Sequence, residues 1–465
     1  MKKLEKNSII EISEGFDRVG KMIKIHGEEQ KLYRIINNPY KEFFQWLFES
    51  KKLEPLFDKF LVETKISDEY AGENDELILE HEIVPDINYL FEWSREMTKD
   101  AGVFLLDATI ELIKKGLFLK DSHAFNLTYS GRRWYFLDYG SIVKNPAQIS
   151  HVWITHFFHN FVLPVNYFQI SEGKKYRELA AEYLDKPFNS FRFFYFSFFR
   201  HPFHTISSLG RCWYFILKCR SVKTESGQLE VLAGLRAYLQ NLKIKYPPTK
   251  WGKYYQREGA KVEDLSSWNQ KMKSLAQMVK NLPAKTLLDL GGNTGFYSKL
   301  VKLSNSNIKT ILLTDYDEVA VDMAYKTESE LSNTSVTDFR SLSKDIEVFW
   351  KPHKKTVYPN FASRHESDLV LMLALVHHLI YYQNLSFEEI VETVRLCSKK
   401  WIIIEFVSND DFHIKKWFKK GIKKIEWYNI GGFKKELEKY FKILSVLPSG
   451  EEKEDRFLIL CEKNT

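Results

Sequence analysis

The stretch Thr286-Leu-Leu-Asp-Leu-Gly-Gly-Asn-Thr-Gly-Phe-Tyr-Ser298 decides the fold. Its short apolar run, 286–290, reads as a buried parallel strand. Gly291, Gly292 and Gly295 let the chain turn sharply and bring its backbone close to a ligand. From Phe296 onward, Leu300, Val301 and Leu303 have the spacing of a first helix. Strand, glycine turn and helix start make a nucleotide-sized pocket at the carboxyl end of a strand. The pattern is Asp-x-Gly-x-x-x-Gly, with Asn293 where a further glycine often stands. Asp289 lies on the strand itself, a placement better suited to a cationic or amine-bearing ligand than to a pyrophosphate.

Downstream residues extend the same reading. A second strand, 310–314, ends at Asp315-Tyr316-Asp317, and Asp315 lies 20 residues past Gly295. There a carboxylate can accept from two vicinal ribose hydroxyls at once. Val336-Thr-Asp338-Phe339 follows as a third strand with an adenine-facing acid, or as a surface turn. The run from Asp368 through His377-His378-Leu379 predicts a fourth strand whose unbroken apolar character suits burial on both faces. On extended backbone the two histidines would point oppositely, so one of them faces the reaction centre as a general base, or both cap the strand and brace the pocket. Trp401–Val407 predicts a fifth strand with Glu405 near the cleft, and a closing helix and hairpin complete the sheet.

These motifs resemble class I S-adenosylmethionine-dependent methyltransferases. The resemblance implies that the loop Asp289, Gly291, Gly292, Asn293 and Gly295 cradles the methionine end of S-adenosylmethionine. It implies Asp315 at the ribose, Asp338 at the adenine and Tyr254, with Tyr255 beside it, as a cover ahead of the sheet; a helix packed on the sheet edge is the structural alternative for the tyrosines. The Asn/Asp-Pro-Pro-Tyr motif of amino-methylating enzymes is absent, which argues against DNA or glutamine as acceptor.

The first half has its own pattern. Strand-like runs at 8–12, 21–25 and 31–36 are separated by glycines. Residues 40–64 have helical spacing, 77–84 reads as a strand stopped by Pro85, and 97–115 is a long helix ending at Gly116. Gly15 to Lys21 fits Gly-x4-Gly-Lys, but Met22 replaces the required hydroxyl residue and a strand follows, so it is no P-loop. Asp121, Asn126 and Asp138-Tyr139-Gly140 resemble the catalytic loop and metal-binding triplet of protein-kinase-like folds. Arg34 stands where a lysine is expected, no glycine-rich phosphate loop is recognisable, and Leu119-Lys120 replaces His-Arg. The three residues therefore either bind nucleotide or are turn residues of a structural or substrate-docking domain.

The fold expectation is α/β. It comprises an α+β, kinase-like front domain (1–145), a helical aromatic-rich subdomain (146–245) and a Rossmann-like domain with a mostly parallel seven-stranded sheet (246–465). Residues 241–249 read as the linker. Glu80–Pro85, Leu119–Asp121, Phe136–Asp138, the glycine turn, Leu373–Leu379 and Ile404–Val407 together resemble bacterial two-part methyltransferases, some of them nodulation-protein-like. That resemblance implies methyl transfer and leaves the acceptor open, with a small molecule or glycan-like group expected. The loop at 339–365 departs from it.

Composition limits the alternatives. With 44% hydrophobic and 28% charged residues, the 465-residue chain is a folded one with room for two or three domains. Its net charge of +7 is mild for this length and permits an acidic partner without demanding one; with no concentrated arginine patch there is no clear nucleic-acid signal. Lys415–Lys424 reads as a solvated basic helix face. Four cysteines without a Cys-x-x-Cys pair, and no histidines clustered at metal spacing, predict a cytoplasmic protein without a metal site. No signal peptide or membrane span is expected. Oligomeric state cannot be read from the sequence.

Overall fold

The computed structural model describes residues 2–3, 9–12, 18–27, 31–68, 70–71, 76–169, 198–199, 201–246, 249, 261–351, 354–450 and 455–464. The chain divides into two compact units. One comprises Met1–Leu90, Thr98–Tyr183 and Pro187–Lys245; the other comprises Phe91–Met97, Leu184–Lys186 and Tyr246–Thr465.

The first unit holds an antiparallel sheet of β1 (Ile9–Glu11), β2 (Gly20–Ile25), β3 (Leu32–Ile36), β4 (Thr64–Ile66) and β5 (Leu77–His81), in the order β1-β2-β3-β5-β4. Ile23, Tyr33 and Ile78 form its core. Helix α1 (Asn38–Glu49) starts with a proline in its first turn, where no backbone donor is needed. The helical run expected over 40–64 stops short of β4, a three-residue strand too brief to show a period. Helix α2 (Arg95–Ile113) is closed three residues later by Gly116 at φ +74°. A hairpin of β6 (Leu127–Ser130) and β7 (Arg133–Phe136) follows. Its further helices include α3 (His151–Phe157), α4 (Pro202–Ser221) and α5 (Glu225–Asn241). The aromatic run 188–197 lies outside the described residues.

The second unit is a three-layer α/β structure. In chain order it contains α6 (Gln270–Val279), β8 (Thr286–Leu290), α7 (Phe296–Ser304), β9 (Thr310–Asp315), α8 (Glu318–Thr327), β10 (Asn333–Val336), β11 (Ser367–Met372), α9 (Val376–Gln383), α10 (Phe387–Cys397), β12 (Ser398–Val407), α11 (Phe412–Lys419), α12 (Ile430–Glu438), β13 (Phe441–Pro448) and β14 (Arg456–Lys463). The sheet order is β10-β9-β8-β11-β12-β14-β13; the first five strands run parallel and β14 is antiparallel to both neighbours. Alternate residues of β8 face opposite layers: Leu288 and Leu290 join one core, Leu287 the other. Both faces are covered, which is why β8, β11 and β12 read as continuous apolar runs.

Phe91–Met97 joins this unit through ion pairs. Arg364 pairs with Glu92, Arg95 Nε donates to Glu318 at 3.0 Å, and Lys326 pairs with Glu96. Asp322 accepts from the Glu96 backbone N–H at 3.2 Å and from the Tyr246 hydroxyl at 2.7 Å.

Candidate functional site

The sheet reverses its direction of growth at β8, between β9 and β11, and in such sheets the crevice beyond the carboxyl ends is where ligands bind. The glycine turn sits there. Gly291 (φ +72°), Asn293 (φ +52°) and Gly295 (φ +88°) all adopt the left-handed region, and the turn is tied to β9 by Gly291 N–H donating to the Thr314 carbonyl at 2.8 Å. A Cβ on Gly292 would stand 2.7 Å from the Asp289 carboxylate, so position 292 has no room for a side chain.

Asp289 is buried beneath this turn and accepts from Ser298 Oγ at 2.6 Å. Burial pushes its carboxyl up to about 7, the nearby Asp315 adds to this, and Ser298 and Lys271 oppose it. Asp315 closes the other side of the turn: one oxygen accepts from Asn293 N–H at 2.8 Å and the other from Asp317 N–H at 2.8 Å. Tyr316 N–H is a further backbone donor to this carboxylate, and burial raises the acid to about 6. Asp338, two residues past β10, caps a 3₁₀ turn by accepting from Arg340 N–H at 3.1 Å. A backbone bond from Thr337 N–H to the Asp315 carbonyl, 3.0 Å, holds the two strand ends together. Tyr254 and Tyr255 lie outside the described residues.

The two histidines are not where an extended run would place them. β11 ends at Met372, Ala374 turns the chain at φ +49°, and α9 begins at Val376. His377 and His378 therefore share the first turn of a helix, with rings 4.3 Å apart, instead of pointing to opposite faces. An apolar run has no period to separate a strand from the helix following it, and the break uses alanine where glycine is usual. Burial, with His378 and Arg456 nearby, holds His377 well below the usual imidazole range, and its Nδ1 has no partner among the described residues. His378 stacks on Tyr382 at an 18° interplanar angle and lies 5.0 Å from the Trp417 ring of α11. Leu375 packs beside Gly291, linking this cluster to the turn.

Glu405 is fully buried within β12, not open to the cleft. Lys271 of α6 pairs with it at 2.5 Å and lies 4.5 Å from the Tyr297 ring; Ser449 donates to its other oxygen at 2.9 Å. Lys271 escaped the sequence reading because a lone lysine on an amphipathic helix carries no signal of burial.

In the first unit, Asp121 accepts from His123 N–H at 2.9 Å and pairs with His156 at 2.6 Å. Burial alone would raise this acid, yet the His156 bond and the two imidazoles hold it below its ordinary value. Asp138 lies 3.5 Å from the buried Arg34 of β3. The Asn126 carbonyl accepts from Leu137 N–H at 2.8 Å, while its buried side-chain amide nitrogen has no partner among the described residues. No group of three or more His, Cys, Asp or Glu among the described residues is arranged to hold a metal. No described helix is long and apolar enough to cross a membrane.

Strand order 3-2-1-4-5-7-6, with the seventh strand antiparallel, a glycine turn after the first strand and an acid ending the second, is the fold of class I S-adenosylmethionine-dependent methyltransferases. Over 366 residues the chain is 27% identical to the nodulation protein NoeA of Rhizobium meliloti (strain 1021), covering 72% of this chain and 71% of that protein. Among solved structures, human N-acetylserotonin methyltransferase in complex with S-adenosylmethionine is 17% identical, covering 47% of this chain and 60% of that one with a TM-score of 0.30. A methyltransferase from Aquifex aeolicus is 15% identical, covering 47% and 100%, with a TM-score of 0.31. No protein-family model matches the chain.

Proposed function

We propose that the protein transfers a methyl group from S-adenosylmethionine to a small-molecule or glycan-like acceptor. The observation that carries this reading is the hydrogen bond from Asn293 N–H to Asp315, which joins the glycine turn and the ribose-binding acid into one cradle at the switch point of the sheet. The cradle fits a nucleoside: position 292 admits no Cβ, so the turn presents backbone there, and Asp315, with three of its roughly four acceptor sites taken by backbone N–H groups, keeps capacity for a ribose hydroxyl. Bound there, S-adenosylmethionine supplies an electrophilic methyl on a cationic sulfur.

The chain's own groups then act by binding and orientation. The bare backbone of 291–295 lets the ligand approach closely, Asp315 and Asp338 fix the nucleoside end, and Asp289 supports the turn from below. Beside the turn, Leu375 excludes water. His377 is held neutral near pH 7 and its unpartnered Nδ1 is buried, so an acceptor hydroxyl or amine must reach below the surface to hand it a proton, while His378, Tyr382 and Trp417 form an aromatic wall suited to a ring or sugar face. Correct placement of acceptor and methyl supplies most of the acceleration. Calorimetric titration with S-adenosylhomocysteine tests the reading: wild type binds and Asp315→Ala does not. A mass-labelled methyl screen of cell extract then identifies the acceptor.

A second reading treats the first unit as a nucleotide-binding or phosphate-transferring module. The ion pair between Arg34 of the third front strand and Asp138 supports it, since the strand's cation reaches the acid that follows the β6–β7 hairpin. Titration with Mg-ATP, compared with Asp138→Ala, decides this; binding of neither ligand would make the chain a non-catalytic binding protein.

A further inference from the structure

Helix α4 is packed inside out. Its buried side chains are small, Thr205, Ser208, Cys212 and Cys219, whereas its outward residues are large and apolar. Phe203 is 88% exposed, Trp213 60%, Ile206 57% and Leu217 50%, with Leu209 and Tyr214 also exposed. At about 100° per residue these six fall on one stripe opposite the buried face. A helix serving only its own domain would reverse the two faces, since each large apolar side chain left in water forgoes the gain of its burial. The stripe repeats i, i+3 and i+4 spacing over a 20-residue helix, unlike scattered surface hydrophobics.

The charge around the stripe identifies what covers it. Arg211 and Lys218 border one edge and Arg220 lies near the other, between Leu209 and Trp213, and none of the three pairs with a carboxylate among the described residues. From 201 to 224 the chain carries Arg211, Lys218, Arg220 and Lys223 and no acidic residue. A second copy would set this cationic face against itself, because a two-fold contact pairs a patch with its own image. An anionic surface that is apolar beneath complements both features. Tryptophan, tyrosine and phenylalanine beside lysine and arginine suit the headgroup boundary of a bilayer.

We infer that the outer face of α4 docks the protein on an anionic lipid bilayer, lying in the interface without crossing it. The inference concerns the first unit and stands whether or not the methyl-transfer reading does. Purified full-length protein should co-sediment with phosphatidylcholine vesicles containing phosphatidylglycerol, only weakly with phosphatidylcholine alone, and less as salt rises. Trp213→Ser with Leu217→Ser should lower partitioning at least roughly tenfold. Arg211→Gln, Lys218→Gln and Arg220→Gln together should lower it roughly a hundredfold on the anionic vesicles. These side chains point outward, so circular dichroism and the thermal transition should stay unchanged and separate lost docking from lost folding. Failure of the folded wild type to co-sediment overturns the inference, as does co-sedimentation indifferent to both variant sets. Light scattering that shows a lipid-free dimer dispersed by Trp213→Ser with Leu217→Ser overturns it in favour of a second copy.

Discussion

At the scale of single residues, the site turns on two backbone positions, Gly292 in the glycine turn and Ala374 between β11 and α9. Gly292 has an ordinary φ, and what excludes a side chain there is the Asp289 carboxylate 2.7 Å away, with Leu313 at 2.9 Å. Gly292→Ala should weaken S-adenosylhomocysteine binding at least roughly tenfold, about 1.4 kcal/mol, and lower the thermal midpoint, both readable from one calorimeter. Unchanged affinity would mean that the turn does not approach the ligand. Ala374 poses the opposite case, a side chain held at φ +49° where glycine is at ease. Ala374→Gly relieves that strain but loosens the unfolded chain, so chemical denaturation should show a change within about 1 kcal/mol, whereas Ala374→Val should destabilise by about 1–3 kcal/mol.

At the scale of elements, α6 and β12 are joined by a charge pair where apolar packing would be ordinary. Glu405 is fully buried, so Lys271→Met should cost about 3–5 kcal/mol by leaving its charge uncompensated. Combining it with Glu405→Leu should recover most of that loss in urea denaturation; no recovery would mean the pair serves packing more than charge. The element scale also shows what could be read in advance. The glycine turn, the second-strand acid and the runs 286–290, 310–314 and 401–407 were legible because burial on both faces leaves a continuous apolar signature. The helix carrying His377 and His378 was not, because Leu371–Leu375 looks the same entering a helix as leaving a strand, and only the backbone at Ala374 separates them. Lys271 and Trp417 were invisible because their roles depend on partners more than a hundred residues away for the first and about forty for the second. In the front half, strand and helix order was readable, but spacing could not tell that Asp121 faces a histidine and Asp138 an arginine.

At the scale of the whole molecule, buried acids set a pH response. Burial, with Glu318 nearby, pushes Asp322 up to about 7. Between about pH 4 and 7 the folded form therefore keeps a proton that the unfolded chain releases, and stability falls as pH rises through that window. The slope is at most about 1.4 kcal/mol per pH unit for one such group, and Asp322→Asn should flatten the profile of stability against pH by up to that amount. A variant profile parallel to wild type would show that Asp322 titrates normally.

The seven residues Phe91–Met97 bear on how the protein can be dissected. A fragment cut at Tyr246 would retain Arg364, Glu318 and Lys326 but lose Glu92, Arg95 and Glu96, their counter-ions. Arg364, now almost fully enclosed, would then lack the carboxylate that neutralises it. Residues 246–465 are thus an incomplete folding unit despite containing every strand of the large sheet, and grafting 91–97 back through a tether is the way to make that piece self-sufficient.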